Sequence, residues 1–305
     1  MIDILGIGEA LIEYSEQSNG IYRQSFAGDV LNTLYYASRL GCRVSFFSQF
    51  GQDSFTNDLI AFLDRTGIDH NNCMRSTDKN NGLYIIRNAN DGEPSFTFFR
   101  ENSAARETFV SNDVNHLHQY LQDAKVVMIS AIGLAVFRNV ESLFEILKVK
   151  QPEQLLYFDA NVRESLWKDK QRLRQWLVEL APIVDVLSIT VSDDEKLFPK
   201  RAPNKILEYY ISLGYTTVIV RNGAEDVLLY ANTVIETIPV EKLGTVIDAT
   251  GAGDAFNAGY ICSMLRQYSP KESVTIGNRA ARQILAYHGG IVTEFDASQV
   301  FLSKV

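Results

Sequence analysis

The sequence predicts an α/β fold: a mostly parallel central sheet covered by helices, with a small β-sheet set apart from it. Three observations predict this. Short apolar strands alternate with helix-patterned stretches along most of the chain, the rhythm of a parallel sheet. The rhythm breaks at 82–100, where two strand-like runs flank Asn90-Asp91-Gly92 with nothing helical between them. The chain has 305 residues, 46% hydrophobic and 22% charged, enough for one large α/β core with an accessory element.

Ile2–Ile7 is a short apolar strand running into Gly6-Ile7-Gly8-Glu9. This Gly-x-Gly is a weak dinucleotide signal, because no third glycine follows at the required spacing and no helix opens there. Residues 11–26 read as extended, with Asn19-Gly20 as a hairpin turn. Asp29 suits a helix cap; Leu31, Leu34, Tyr35 and Leu40 follow at helical spacing until Gly41. Val44–Phe47 is the next strand. A helix over about 53–65 turns Phe55, Leu59, Phe62 and Leu63 inward and stops at Gly67. Runs 82–87 and 95–100 form the inserted hairpin, a candidate lid. Its alternation is read as Leu83, Ile85, Phe96 and Phe98 on one face, with Tyr84, Ile86 and Phe99 on the other.

The α/β pattern resumes with strands at 126–130, 155–159, 185–189 and 217–221 and helices at about 137–148, 169–180 and 203–213. Runs 227–230 and 234–238 read as antiparallel additions. Val246 and Ile247 look like the end of a buried strand before Thr250-Gly251-Ala252-Gly253. A helix follows with Phe256, Gly259, Tyr260 and Ser263 on one packed face. Residues 271–288 read as a last helix, ended by Gly289-Gly290. The simplest account is a single domain over 1–305 with a discontinuous β lid from about 11–26 and 82–100.

The net charge of −8 and the lack of a basic run argue against nucleic acid as a partner. Cys42, Cys73 and Cys262 are far apart and odd in number, and read as buried or incidental thiols of a reducing compartment. His116 and His118, two apart, fall on different faces of a helix, so the histidines make no metal site. No apolar run is long enough to cross a membrane, and a strand rather than a signal peptide begins at Ile2. The expectation is a cytoplasmic protein.

The stretch 246–260 is the candidate centre of chemistry. Gly251 and Gly253 permit a sharp turn whose N–H groups converge on one point, and the following helix adds positive potential there. A phosphate, or charge developing on a transferring phosphoryl group, suits that point. Asp254, in the first helical turn, either satisfies the helix dipole or takes a proton from an attacking hydroxyl. Ala27-Gly28-Asp29-Val30-Leu31-Asn32 opens a helix and offers backbone donors and polar side chains to a ligand. Phe158-Asp159-Ala160-Asn161-Val162-Arg163 ends a strand, where ligands bind in open α/β sheets, although Asp159 could form a turn and Arg163 a solvated charge. Ser192-Asp193-Asp194-Glu195 opens a helix with good capping residues. Arg221-Asn222-Gly223-Ala224 is either a simple turn or a place where backbone approaches a ligand.

Asp-Ala-Thr-Gly-Ala-Gly-Asp-Ala-Phe (248–256) resembles the C-terminal signature of the PfkB/ribokinase family of carbohydrate kinases, D-x-x-G-A-G-D-x-F. The resemblance spans nearly the whole chain. It implies a ribokinase-like three-layer sandwich with a small β-sheet lid that covers a sugar and pairs with a second subunit as a homodimer. It implies Asp254 as general base, an anion hole from the amides of Gly251, Ala252 and Gly253, and ATP as phosphoryl donor. Residues 27–32 resemble its Gly-Gly-x-x-x-Asn sugar motif, with Ala27 for the first glycine, which brings Gly28, Asp29 and Asn32 to the substrate. Gly51-Gln52-Asp53 resembles its next turn. By the same resemblance Asn161 lies near the phosphates, Arg163 near the transferring group or substrate, Arg221, Gly223 and Ala224 on the nucleotide side, and Asn278 near adenine. Glu195 is assigned to the magnesium shell through water, Ser192 replacing the family's asparagine; a monovalent cation is allowed. Glu9, Glu13, Tyr84, Phe98, Arg100 and Arg163 resemble the 2-keto-3-deoxygluconate kinase branch, with Phe98 where that branch has a tyrosine. Two arginines at one site match a carboxylate-bearing sugar. The expected reaction is ATP-dependent phosphorylation of that sugar acid at its terminal hydroxyl. A fructokinase, or a catalytically silent sugar- or nucleotide-binding regulator, is the alternative.

Overall fold

The computed structural model describes residues 2–18, 20–88, 94–110 and 114–301. Strand β1 (Ile2–Ile7) puts Ile4 into one apolar cluster and Leu5 and Ile7 into another, the alternation of a strand buried on both faces. The chain then leaves the core as an antiparallel pair, β2 (Leu11–Ser18) and β3 (Ile21–Ala27). It returns through α1 (Asp29–Arg39), β4 (Val44–Phe47), a short β5 (Gln49–Phe50), α2 (Phe55–Thr66), β6 (Ile68–Asp69) and β7 (Met74–Arg75). The strands β8 (Gly82–Asn88) and β9 (Pro94–Phe99) leave the core again. After them come α3 (Val114–Asp123), β10 (Ala124–Ser130), α4 (Ala131–Val136), α5 (Val140–Lys148), β11 (Leu155–Asp159), α6 (Lys170–Leu180), β12 (Val186–Thr190), α7 (Val191–Leu197), α8 (Pro203–Ser212) and β13 (Val218–Asn222). The chain ends through β14 (Glu225–Ala231), β15 (Val234–Ile238), α9 (Ala252–Leu265) and α10 (Pro270–Ile284).

Among the described residues nine strands form the central sheet, in the order β15-β14-β13-β12-β11-β10-β1-β4-β6. All its pairings are parallel except those of β14 with β13 and β15. One apolar cluster packs α1, α2, α9 and α10 against one face; the other packs α3 to α8 against the opposite face. The result is a three-layer α/β sandwich. From β1 the order runs outward one way through β4 and the other way through β10. That reversal opens a crevice at the carboxyl ends of the strands. A second sheet, β3-β2-β8-β9, stands beside that crevice.

Several expectations need correcting. Val246 and Ile247 are not a buried strand: they are 53% and 52% exposed, and no regular element lies between β15 and α9. The helix expected at 137–148 is α5, Val140–Lys148, and a separate short helix, α4 (Ala131–Val136), precedes it. Phe137 takes an extended conformation, and Ser130 and Asn139 cap separate starts. The last helix stops at Ile284, before 288. α9 has no single packed face, because every residue over 254–263 is buried. Asp29 is not the cap of α1; Gly28 is, with no side-chain cap bond, and Asp29 is left for the crevice. In the small sheet Tyr84 pairs with Phe98 and Ile86 with Phe96, while Leu83 pairs with Phe99. Tyr84, Ile86, Phe96 and Phe98 therefore share one face. The opposed grouping was one residue out of register, which inverts every side chain. The turns at Asn19 and Asn90-Asp91-Gly92 lie outside the described residues, as does the side chain of His116.

The Gly-x-Gly of β1 has a packing explanation. A Cβ on Gly6 would come 2.6 Å from Val30 Cγ1, and one on Gly8 would come 2.8 Å from Val30 Cβ. These residues let α1 approach the strand; they do not cradle a dinucleotide. Val30 Cβ is fixed to the helix backbone and cannot swing aside. Gly8→Ala is therefore expected to destabilise the protein by about 1–3 kcal/mol through overpacking, read as a lower urea midpoint. An unchanged midpoint would refute the close-packing role.

Candidate active site

The glycine turn before α9 is built by constraint. Gly251 has φ 77°, and a Cβ there would lie 2.6 Å from Gly290 O, so conformation and space both demand glycine. Asp248 ties the turn down, accepting from the N–H of Thr250 at 2.8 Å and of Gly289 at 2.9 Å. Burial works to raise its carboxyl, yet these donors outweigh it and hold Asp248 below the ordinary range. The Ala252 N–H turns back on Ala249 O at 3.2 Å, which removes one of the three amides assigned to the anion hole. The Gly251 and Gly253 amides find no backbone acceptor among the described residues. They stand at the N-terminus of a 14-residue helix, where the dipole favours an anion.

Asp254 follows in the first turn of α9, 7% exposed, its Oδ2 accepting from Asn32 Nδ2 of α1 at 2.8 Å. Burial pushes its carboxyl up to about 8; Asp29 and Asp159 add repulsion, while Asn32 and Arg163 oppose the rise. A carboxylate of that basicity beside an anion site can hold or accept a proton near neutral pH.

The far wall comes from the ends of β11, β12 and β13. Buried Asp159 accepts from Asn257 Nδ2 at 2.8 Å and pairs with Arg221 at 3.2 Å; burial lifts it to about 6 against the pull of Arg221. Arg221 also lies over the Phe256 ring, 4.9 Å from its centroid, and beside Gly253. Asn161 Nδ2 donates to Asp29 Oδ2 at 3.3 Å. Thr190 and Asp193 form a capping box on α7, and Asp193 also receives Val162 N–H at 3.0 Å and Lys196 at 3.2 Å.

Under the small sheet the wall is acidic and acceptor-rich. Glu9 Oε2, Asp29 Oδ1 and Asn32 Oδ1 are buried with no hydrogen-bond partner among the described residues. Left so, each costs about 1–3 kcal/mol. A ligand carrying several hydroxyl donors would satisfy them. The other Glu9 oxygen takes Arg100 Nη1 in a buried pair, and burial still pushes Glu9 above its usual range. Arg100 lies 4.6 Å over the Phe98 ring, which stacks 5.2 Å from Tyr84; the Tyr84 hydroxyl donates to Glu13, which also accepts from Ser25 Oγ at 2.7 Å.

These walls enclose one cleft of about 1140 Å³, with Asn257, Glu13 and Ser25 set behind its lining. Gly28, Asp29, Asn32, Tyr84, Phe98, Arg100, Asn161, Arg163, Arg221, Gly223, Ala224, Gly251, Ala252, Gly253, Asp254 and Asn278 all line it. Glu195 does not. It sits on an exposed side of α7, 3.7 Å from Lys200, while Ser192, Asp193 and Lys196 take the cleft face. Arg100 is not an unpartnered cation either, since Glu9 neutralises it. At the opposite end Asn278 Nδ2 is buried without a partner among the described residues, and a Cβ on Gly223 would meet nothing there, which leaves room and a donor for a heterocycle. Asn257 and Lys196 escaped the sequence reading. Asn257 lies three residues after Asp254, one helical turn on, a spacing that could have revealed it.

The Asp254 electrostatics carry a stability test. Its folded-state pKa, about 8, exceeds the unfolded value of 3.8. The folded protein therefore binds the extra proton between those values, and this contribution to stability falls as pH rises from about 4 through 8. Asp254→Asn lacks that loss. The variant should gain stability relative to wild type from about pH 4 upward, reaching a few kcal/mol above pH 8. Denaturant midpoints at pH 5 and 8.5 read this; a gap independent of pH would refute it.

The carbohydrate-kinase expectation meets independent comparison. The profile of the pfkB family carbohydrate kinases matches residues 1–296. The chain is 29% identical to the 2-dehydro-3-deoxygluconokinase of Dickeya dadantii, over 94% of this chain and 95% of that one. It is 28% identical to the 2-dehydro-3-deoxygluconokinase of Haemophilus influenzae, over 98% of each. Its fold superposes on a putative ribokinase II from E. coli, solved in complex with ATP and Mg2+, with a TM-score of 0.83 at 20% identity, covering 95% of each chain. With a ribokinase-like fold, the family signature and the matched length in agreement, this chain belongs to the pfkB family of carbohydrate kinases.

Proposed function

We propose that the protein phosphorylates 2-keto-3-deoxygluconate at its terminal hydroxyl, with ATP as donor. The observation that carries the reading is one wall holding the buried, partnerless oxygens of Glu9, Asp29 and Asn32 beside Arg100, with Arg163 across the cleft. Hydroxyl groups would supply the missing donors, and a carboxylate would meet the guanidinium groups. The names of the relatives support the sugar acid.

The sugar hydroxyl faces Asp254, which takes its proton as the oxygen attacks the terminal phosphorus. The Gly251 and Gly253 amides and the α9 dipole stabilise the charge that moves onto the transferring group. Arg163, which lines the cleft and acts electrostatically on Asp254, contributes positive charge. The free donor of Asn278 and the open Gly223 turn fit the base and ribose end of ATP. Among the described residues no group of three or more His, Cys, Asp or Glu could hold a metal. That suits a magnesium ion carried mainly by phosphate and water, with Ser192 and Asp193 the cleft groups open to its water shell. Bound magnesium would neutralise phosphate charge. The small sheet acts as a lid that excludes water. Its exposed Phe99 and Ile21, and the unpaired edge of β9, favour a second copy as cover, making a homodimer.

The Glu9–Arg100 pair also favours a second reading, a kinase of a neutral sugar such as fructose, because it leaves less unpaired positive charge. Comparing kcat/KM for the acid and for fructose, in wild type and Arg100→Ala, decides between them. The acid should be preferred. The substitution should weaken it by about 2–5 kcal/mol while costing fructose less. A fructose preference, or equal losses, gives the site to the neutral sugar.

If Asp254 is the base, Asp254→Asn should lower kcat roughly two to four orders of magnitude. The wild-type kcat/KM should climb tenfold per pH unit up to about 8, following the carboxyl. A flat profile would remove Asp254 from that role. Sedimentation at micromolar concentration should show a dimer that Phe99→Asp disrupts; a wild-type monomer would end the shared-lid reading.

A further inference from the structure

Two of the three cysteines, 220 residues apart in the chain, meet in space: Cys42 Sγ lies 2.7 Å from Cys262 Sγ. Cys42 follows α1, and its N–H donates to Ala37 O at 3.0 Å. Cys262 is buried in α9. The pair thus spans the two helices whose opposite ends carry Asn32 and Asp254. We propose that Cys42 and Cys262 form a reversible dithiol site, which peroxides oxidise to a disulfide that staples α1 to α9.

The surroundings divide the labour between the two sulfurs. Cys42 is partly exposed, which gives a small oxidant access. Its hydrogen bond with Cys262 holds its thiol below the ordinary range; burial and Asp3 oppose this, and Arg266 and Lys125 assist it. Burial pushes Cys262 well up. Cys42 is therefore the attacking thiolate and Cys262 the resolving thiol. The Cys42 sulfur attacks one peroxide oxygen, the O–O bond breaks, and hydroxide leaves, giving a sulfenic acid. The Cys262 sulfur then attacks the Cys42 sulfur. The S–S bond forms, the S–O bond breaks, and the departing hydroxide takes the Cys262 proton. Two thiols and one hydrogen peroxide give one disulfide and two waters, with two electrons passing from sulfur to oxygen. Cys73 differs: its thiol donates to Phe46 O at 3.2 Å, burial raises it, and the other two cysteines are paired with each other.

The pair lies roughly 12 Å along α9 from Asp254, eight residues at the helical rise. The crosslink therefore fixes the helix pair without touching the cleft. The test treats the full chain with hydrogen peroxide, removes it, and counts free thiols in denaturant without reductant. Wild type should fall from its three thiols to one, with a non-reducing peptide map joining the segments around 42 and 262. Its Tm should rise by several degrees, and dithiothreitol should reverse both changes. Cys73→Ser should still form the link. Cys42→Ser should keep both its remaining thiols under the same treatment. Retention of all wild-type thiols, over-oxidation of Cys42 with Cys262 still a thiol, or a link only between separate chains would each overturn the proposal.

Discussion

The contact between Asn32 and Asp254 is the constraint on which the rest of the site depends. It joins the N-terminal turns of α1 and α9, two helices that pack against each other on one face of the sheet. Buried carboxylates repel one another, and Asp29, Asp159 and Asp254 crowd one crevice. The fold tolerates them because each finds a donor: Asn161 for Asp29, Arg221 and Asn257 for Asp159, Asn32 for Asp254. Residual desolvation is not relieved, and it makes Asp254 basic enough for proton transfer. Destabilisation and reactivity share one cause here.

Glycine supports this arrangement from below. α1 can descend onto β1 because Gly6 and Gly8 present no side chain to Val30 and Leu34. Gly251 then turns hard against Gly290, so the amides that follow are aimed before any ligand arrives. Preorganised amides need not reorient as charge develops, which is why such a turn suits phosphoryl transfer.

Much of this was legible in the sequence, for physical reasons. Parallel strands buried on both faces are short apolar runs, and β1, β4, β11 and β13 appear at nearly the expected boundaries. Asp248 to Asp254 and Phe256 of the signature line the cleft, and among the site residues singled out in the sequence Glu195 and Glu13 do not. The failures also have causes. A local motif cannot reveal which face of α7 a residue takes, and Glu195 fell on the outer one. The two faces of β9 cannot be told without the register of β8, so Phe96 and Phe98 were placed with the wrong neighbours. Val246 and Ile247 are apolar yet exposed, and periodicity has no means to distinguish that from a strand end. Arg100 read as a free cation because its partner, Glu9, lies 91 residues away.

The small sheet is assembled from two separate excursions of the chain. Its β2 and β8 pair in parallel, Leu11 opposite Gly82, with α1, β4 and α2 folded between them. Such a pairing must close a long loop and gains nothing until the intervening core is in place. The cover of the cleft is thus a late product of folding, and it can loosen while the core beneath remains intact. A chain emerging in order would present the wall of Glu9, Asp29, Asn32 and Arg100 well before the glycine turn that precedes α9. The two sides of the cleft therefore acquire their structure at different times, the α9 side after the side under the small sheet.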